Sequence, residues 1–319
     1  MKKTSYERVI GQVSEVEKDR ILKSREERFD DQVFKELEGK EREKTPEELQ
    51  IIDFANKITN EIRQKYGLDD FDIPSKNFHI IKENEWWDKK GVAFYQPNLQ
   101  GVAICEDQSK MNFAKKIIHE MLHFKSYGAL QITKSGKPEL EDYRLGLIIN
   151  TRNGKNEYFS SLNEAVTEEI TKKYSIEHIK DLSRNPLFEQ EIKQTREIIS
   201  GHPNTKTESG RPLFNNDIFY AEIKEVSNDK KTTTIVTKGF TYKRERLVLN
   251  KLIDKLLGKN KEELKDREEI FNLFAKGMLN GNILPIGRLI DNTFGKGTFR
   301  KIGELDSDIK AQEEFVGSL

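Results

Sequence analysis

Apolar positions fall at helical spacing at the start of the chain, shift to short runs in the middle, and return to helical spacing toward the end. In residues 1–44, Val9, Val13 and Val16, then Phe29, Val33 and Leu37, recur three or four apart among Lys, Arg, Glu and Asp. That spacing predicts one or two amphipathic helices in a charged arm, either solvated or pairing with a protein partner. Thr45, Pro46 and Glu48 fit the N-cap, first position and third position of a capping box. Ile51, Phe54, Ala55, Ile58 and Ile62 carry the stripe from there to Gly67, a C-terminal stop.

The pattern changes between Asp69 and Asp107, where Phe78 to Ile81, Val92 to Tyr95 and Val102 to Cys105 read as strands. The last two form a hairpin across Pro97, Asn98 and Gly101. Phe113, Ile117, Met121 and Phe124 then predict a helix over Asn112 to Tyr127, with Gly128 beyond its end. A second pair, Ala129 to Ile132 and Leu145 to Ile149, is joined by a loop containing Gly136 and Pro138. A helix from Ser160 to Tyr174 follows. From Leu182 onward the chain reads as mostly helical, apart from a loop at Gly201 to Pro212 and a weak strand at Thr232 to Val236. Leu247 to Leu257 and Ile270 to Leu279 read as buried helices.

The fold class expected is therefore α+β: a small antiparallel sheet packed on one chemistry-bearing helix, followed by a mostly helical C-terminal part. The segments are 1–44, the charged arm; 45–180, the main domain; and 181–319, the helical part.

Lys plus Arg equals Asp plus Glu at 55 each, so global charge offers no attraction for nucleic acid, and none is expected as a partner. A single cysteine, Cys105, excludes an intrachain disulfide and reads as a small buried apolar residue. No apolar run is long enough to cross a bilayer, and the N-terminus MKKTSYERVIGQ lacks a secretion-type apolar stretch. Together these predict a cytoplasmic protein without a membrane partner.

Candidate chemistry concentrates in His119-Glu120-Met121-Leu122-His123, inside a segment that reads as helix on separate grounds. Histidines four apart share one helical face, so two imidazoles reach one ion, and Glu120 lies beside them as a general base. A catalytic zinc site takes three protein ligands, so a third must come from elsewhere. The metzincin continuation is closed, because Ser126 and Ala129 stand where glycine and histidine are required. His79, His178 and His202 are distant in sequence and read as surface or core residues. Glu164, in Asn163-Glu164-Ala165-Val166-Thr167-Glu168 on the next predicted helix, is the better candidate. Gly295-Lys296-Gly297-Thr298 lacks P-loop spacing and reads as a turn. Trp86 and Trp87 read as packing residues.

HEMLH followed by NEAVTE resembles the gluzincin zinc metallopeptidases, the thermolysin-like group, over about residues 91–175. The resemblance implies a hydrolase, a protease that cuts a peptide or protein substrate with zinc-activated water and Glu120 as general base. It makes His119, His123 and Glu164 the zinc ligands and Glu168 the acceptor for the free ring N–H of His119. It also implies a tyrosine or histidine that donates to the oxyanion. Tyr158 is the first candidate, with Tyr127, His202, Tyr220 and Tyr242 as alternatives. An extended substrate adds to a sheet edge, expected at Val102 to Cys105, for which an interior core strand is the alternative. Two departures stand out: the interval from His123 to Glu164 is longer than in thermolysin, and no pro-segment signal is present. They point to a small intracellular branch. A non-catalytic zinc-stabilised scaffold and a hydrolase of another amide stay open.

Overall fold

A computed structural model describes residues 4–32, 37–87, 91–133, 139–177, 185–206, 212–213, 215, 217–225 and 233–319. Val33, Gly136, Pro138, His178, Leu182 and Thr232 lie outside the described residues.

The charged arm is not a free helix. Val9 belongs to strand β1 (Tyr6–Ile10), which pairs in parallel with β6 (Gly128–Ile132). Tyr6 and Val9 are buried against Leu130. Five residues are too few to reveal a period, and the Val9, Val13, Val16 spacing mimics a helix across the turn at Gly11. Helix α1 (Glu15–Asp30) starts at Ser14, whose hydroxyl accepts from Glu17 N–H at 3.2 Å. It docks through Phe29, whose ring lies 5.9 Å from Phe71 and 6.0 Å from Phe124.

Helix α2 (Pro46–Lys65) begins with the complete capping box of Thr45 and Glu48. Glu48 also receives both terminal nitrogens of Arg42, at 2.9 and 2.6 Å, from the short strand β2 (Glu41–Arg42). A four-stranded sheet follows, in the order β2, β3 (Phe78–Ile81), β5 (Gly101–Cys105), β4 (Ala93–Gln96). It is mixed, because β3 and β5 run parallel while the other pairs are antiparallel. The expected hairpin forms, but β5 is interior and fully buried, and β4 is the edge. The edge expected at Val102 to Cys105 is thus displaced by one strand, since Phe78 to Ile81 pairs with β5 across a long connection.

Helix α3 (Lys110–Lys125) packs between α2, this sheet and α4 (Ser160–Glu177). Ser109 caps its start, and Glu191 of α5 (Pro186–Gly201) accepts from Ser109 Oγ, Lys110 N and Met111 N at 2.8–3.0 Å. At its end the nearly inaccessible Lys125 donates to Thr59 Oγ1 and Asn60 Oδ1 of α2, and burial pushes its ammonium down to about 7. Between α3 and α4 the chain lays down β6, β7 (Leu140–Leu145), β8 (Ile148–Asn150) and β9 (Glu157–Tyr158), which with β1 make a five-stranded sheet.

The C-terminal part contains a hairpin of β10 (Ile218–Glu225) and β11 (Thr233–Gly239), of which only the second strand was legible. Helices α6 (Lys243–Lys259), α7 (Arg267–Asn280), α8 (Leu284–Phe294), α9 (Thr298–Glu304) and α10 (Ile309–Ser318) complete it. The fold class is α+β with a helical C-terminal part, as the pattern predicts. One apolar cluster runs from Phe29 through Ile58, Ile117, Val166 and Leu252 to Val316, so all three segments share a core. No helix among the described residues is long and apolar enough to cross a membrane.

Burial opposes the charge on Glu48, yet the Arg42 and Thr45 donors hold its carboxyl below the ordinary value. Because the folded state binds that proton less readily than the unfolded chain, the stabilisation is complete above the unfolded pKa near 4.3 and is lost as pH falls through the folded value. Glu48→Gln is expected to lower neutral-pH stability by about 1–3 kcal/mol, the worth of a hydrogen bond to a charged group, and to flatten the acid limb. Urea unfolding of both proteins between pH 3 and 7 measures this; parallel acid limbs would refute it.

Candidate metal centre

Helix α3 presents His119 and His123 one turn apart on the face opposite the Ile117, Met121 and Phe124 packing surface. Helix α4 crosses that face and brings Glu164 and Glu168, themselves one turn apart, to the two imidazoles. His119 Nε2 and His123 Nε2 are 3.1 Å apart, and Glu164 Oε2 lies 3.2 and 3.3 Å from them. His119, His123 and Glu164 therefore form a compact group of three potential ligands. A tetrahedral ion with bonds of 2.0–2.1 Å spaces neighbouring ligand atoms about 3.3 Å apart, so this triangle has the dimensions zinc requires. Two imidazoles and one carboxylate are also a donor set that suits zinc.

The supporting contacts are specific. Glu168, fully buried, sits 2.7 Å from His119 Nδ1, leaving Nε2 to the cluster. Glu169, its neighbour in sequence, turns to Arg246 and Asn250 instead. Asn163 Oδ1 accepts Leu147 N–H at 2.9 Å, and its Nδ2 lies 3.2 Å from His123 Nδ1, beside the second ring. Gly146 lies against that amide: a Cβ there would meet Asn163 Oδ1 at 2.4 Å.

Charge follows the same arrangement. Burial disfavours a charged His119, but hydrogen bonds to Glu164 and Glu168 outweigh it and lift the ring to about 10. Burial likewise opposes charge on Glu164 and Glu168. The histidines, with Lys115 2.7 Å from Glu168, nevertheless hold both carboxyls below the ordinary range. The site is thus built around buried carboxylates in their charged form.

Glu120 points away from Glu168 into the cleft, where its Oε2 accepts from Tyr95 N–H of β4 at 2.8 Å. Two cavities meet at Ala93, Glu120 and Tyr242. One, of about 180 Å³, is walled by Tyr95, Pro97, His123, Leu145, Ile148 and Glu164. The other, of about 370 Å³, is walled by Trp86, Val92, Lys115, Lys116, His119 and Thr241.

Of the tyrosines and the histidine considered for the oxyanion, only Tyr242 lines these cavities. Its ring stacks on His119 at 5.6 Å and 10°. Burial and the adjacent Glu164 carboxylate, to which it hydrogen-bonds, push its hydroxyl well above the ordinary phenol value. Tyr242 holds a left-handed φ of 52°, a strained setting for a residue with a side chain, and Thr241 before it is anchored on Glu168 through both N–H and hydroxyl. Tyr158 is in β9 with its ring against the core, and it lines neither cavity. Tyr127 packs under Arg144, Tyr220 donates to Glu222 and His202 ends α5. His79 is buried beside Glu41, 2.9 Å away. Tyr242 carries no motif in sequence; Gly239 and the restart of helical spacing beyond it were the only signals nearby.

Compared with protein-family models, with curated proteins and with solved structures, the chain matches none. The gluzincin reading rests on two short motifs and on the geometry that joins them.

The arrangement predicts one bound zinc per chain, lost in His119→Ala, His123→Ala and Glu164→Ala. Glu168→Ala is expected to keep the stoichiometry but weaken affinity about 10–100-fold, the usual effect of losing the partner of a ligand histidine. Chelator competition gives these constants, and an unchanged affinity in Glu168→Ala would contradict the assigned role.

Proposed function

We propose that the chain is a zinc-dependent peptidase of gluzincin type that hydrolyses peptide bonds in the cleft between β4 and the two site helices. The observation that carries the reading is the triangle of His119 Nε2, His123 Nε2 and Glu164 Oε2 with sides of 3.1–3.3 Å. Among the described residues this group has three members and opens on a cleft, as catalytic rather than structural zinc sites do. That argues against a purely structural scaffold.

Zinc held by this set supplies Lewis acidity toward a carbonyl oxygen and makes water more acidic. The chain's own residues do the rest. Cys105 N–H donates to Val92 C=O, so the hydrogen-bonded pairs of the β4–β5 ladder fall at 92, 94 and 96. The N–H and C=O groups of Ala93 and Tyr95 therefore face the edge, where Tyr95 N–H is bonded to Glu120 Oε2. A peptide in extended form adds there as a further strand, with the two cavities receiving side chains on either side of the bond to be cut. Glu120 takes the proton from the attacking water and returns it to the departing nitrogen. Tyr242, held by Thr241 and by its stack on His119, donates its hydroxyl hydrogen bond to the developing oxyanion.

Hydrolysis of a generic protein substrate tests the assignment. Glu120→Gln should retain zinc and lose about 10²–10⁴-fold in kcat, the range for a general base. Tyr242→Phe should lose about 10²–10³-fold, as for other single oxyanion donors, and Tyr158→Phe should behave as wild type. Full activity in Glu120→Gln would end the peptidase reading.

A further inference from the structure

Helix α4 carries Asn163, Glu164 and Glu168, yet the residue that precedes it, Phe159, has no side-chain acceptor for the first N–H groups. The acceptor comes from far along the chain. Asp306, in the turn between α9 and α10, receives Ser160 N–H at 2.6 Å through Oδ2 and Ser161 N–H at 2.9 Å through Oδ1, and its Oδ1 also receives the Ser161 hydroxyl. A carboxylate in this position satisfies two orphan donors and matches the positive end of the helix. Phe159 is held just as tightly: it has a φ of 67°, stacks on Phe299 at 4.5 Å and 19°, and leaves no room for a Cβ on Gly303, which would meet its ring at 2.7 Å. Strain of this kind persists only where the surroundings over-determine the conformation. One turn later come the two residues that touch His123, Asn163 through its amide and Glu164 through its carboxylate.

We propose that Asp306 is a positioning residue for the metal centre: by capping α4 from the C-terminal helices, it sets the turn that delivers Asn163 and Glu164 to the histidines. The proposal rests on the metal-site reading above. A loosened first turn moves Asn163 and Glu164 together relative to the histidines carried by α3, so the effect of Asp306 runs through the two residues that touch His123. A residue that only stabilised the fold would have no such selectivity.

Zinc affinity by chelator competition, with thermal unfolding alongside, tests this on the full chain. Asp306→Ala is expected to weaken zinc binding about 10–100-fold, comparable to loss of a group that orients a ligand directly. Asp306→Asn, which keeps the size and one acceptor oxygen, should fall between it and wild type and serves if the alanine variant does not fold. Asp266 caps α7 by the same chemistry, accepting Glu269 N–H at 3.0 Å, so Asp266→Ala should lower stability similarly and leave zinc affinity within about twofold. Wild-type affinity in Asp306→Ala, or an equal loss of affinity in Asp266→Ala, overturns the proposal alone. No zinc binding by the wild-type chain overturns the metal reading and the proposal with it.

Discussion

The rest of the site depends on one buried carboxylate, Glu168. It has no exposure to solvent and gathers four donors: His119 Nδ1, Lys115 Nζ, and the N–H and hydroxyl of Thr241. Desolvating a carboxylate is costly, and only a full set of charged and polar partners compensates it. Those partners come from α3 and from the start of the segment that leads into α6, so one charge locks three parts of the chain in a single geometry. It orients the first imidazole and, through Thr241, fixes the backbone that places Tyr242 over that ring. A neutral side chain of the same shape lacks the charge that holds Lys115 and an oriented ring together.

Rigidity at the site is drawn from elsewhere in the fold. Non-glycine residues with positive φ occur at Gln100, Phe159 and Tyr242. They lie at the β4–β5 turn, at the start of α4 and at the start of α6, three segments that border the cleft. Each left-handed residue costs about 1–2 kcal/mol, so neighbours must hold it. Gln100 is fully buried and bonded to Thr4 and Tyr95, which ties the N-terminal strand to the edge strand facing Glu120. Phe159 is wedged on Phe299, and Tyr242 on His119. Both helices that bear the cluster also begin on carboxylates from the C-terminal part, Glu191 for α3 and Asp306 for α4. The helical half thus serves the site as a frame, although it supplies no ligand to the three-residue group.

What could be read in advance was local. The capping box at Thr45, the hairpin around Pro97 and the four-residue spacings within HEMLH and NEAVTE are relations among near neighbours, and the structure has each of them. Relations across long separations carried no such mark. Pairing of β1 with β6 and of β3 with β5 joins segments whose sequences do not name their partners, so the arm looked helical and β5 looked like an edge. Glu168 and Glu169 could not be told apart by spacing, whereas Arg246 and Asn250 draw Glu169 away in space. Tyr158 was favoured because it is near Glu164 in sequence; its ring faces the core, and the tyrosine at the cleft arrives from 78 residues further along than Glu164, which is 242 minus 164.

The interval of 41 residues between His123 and Glu164 need not loosen the cluster. Closing a longer loop adds entropy only logarithmically, about 0.6 kcal/mol per doubling. Much of this interval is not loop at all, since β6 to β9 fold into consecutive antiparallel pairs. The β6–β9 run starts at Gly128, three residues after α3 ends, and finishes at Tyr158, two before α4 begins, so both helices are attached to it by short connections. Gly146 and Leu147, at the β7–β8 turn, then reach back to Asn163. A segment that folds on itself and returns a backbone donor to α4 acts as a brace, which makes the spacing compatible with the tight triangle of His119, His123 and Glu164.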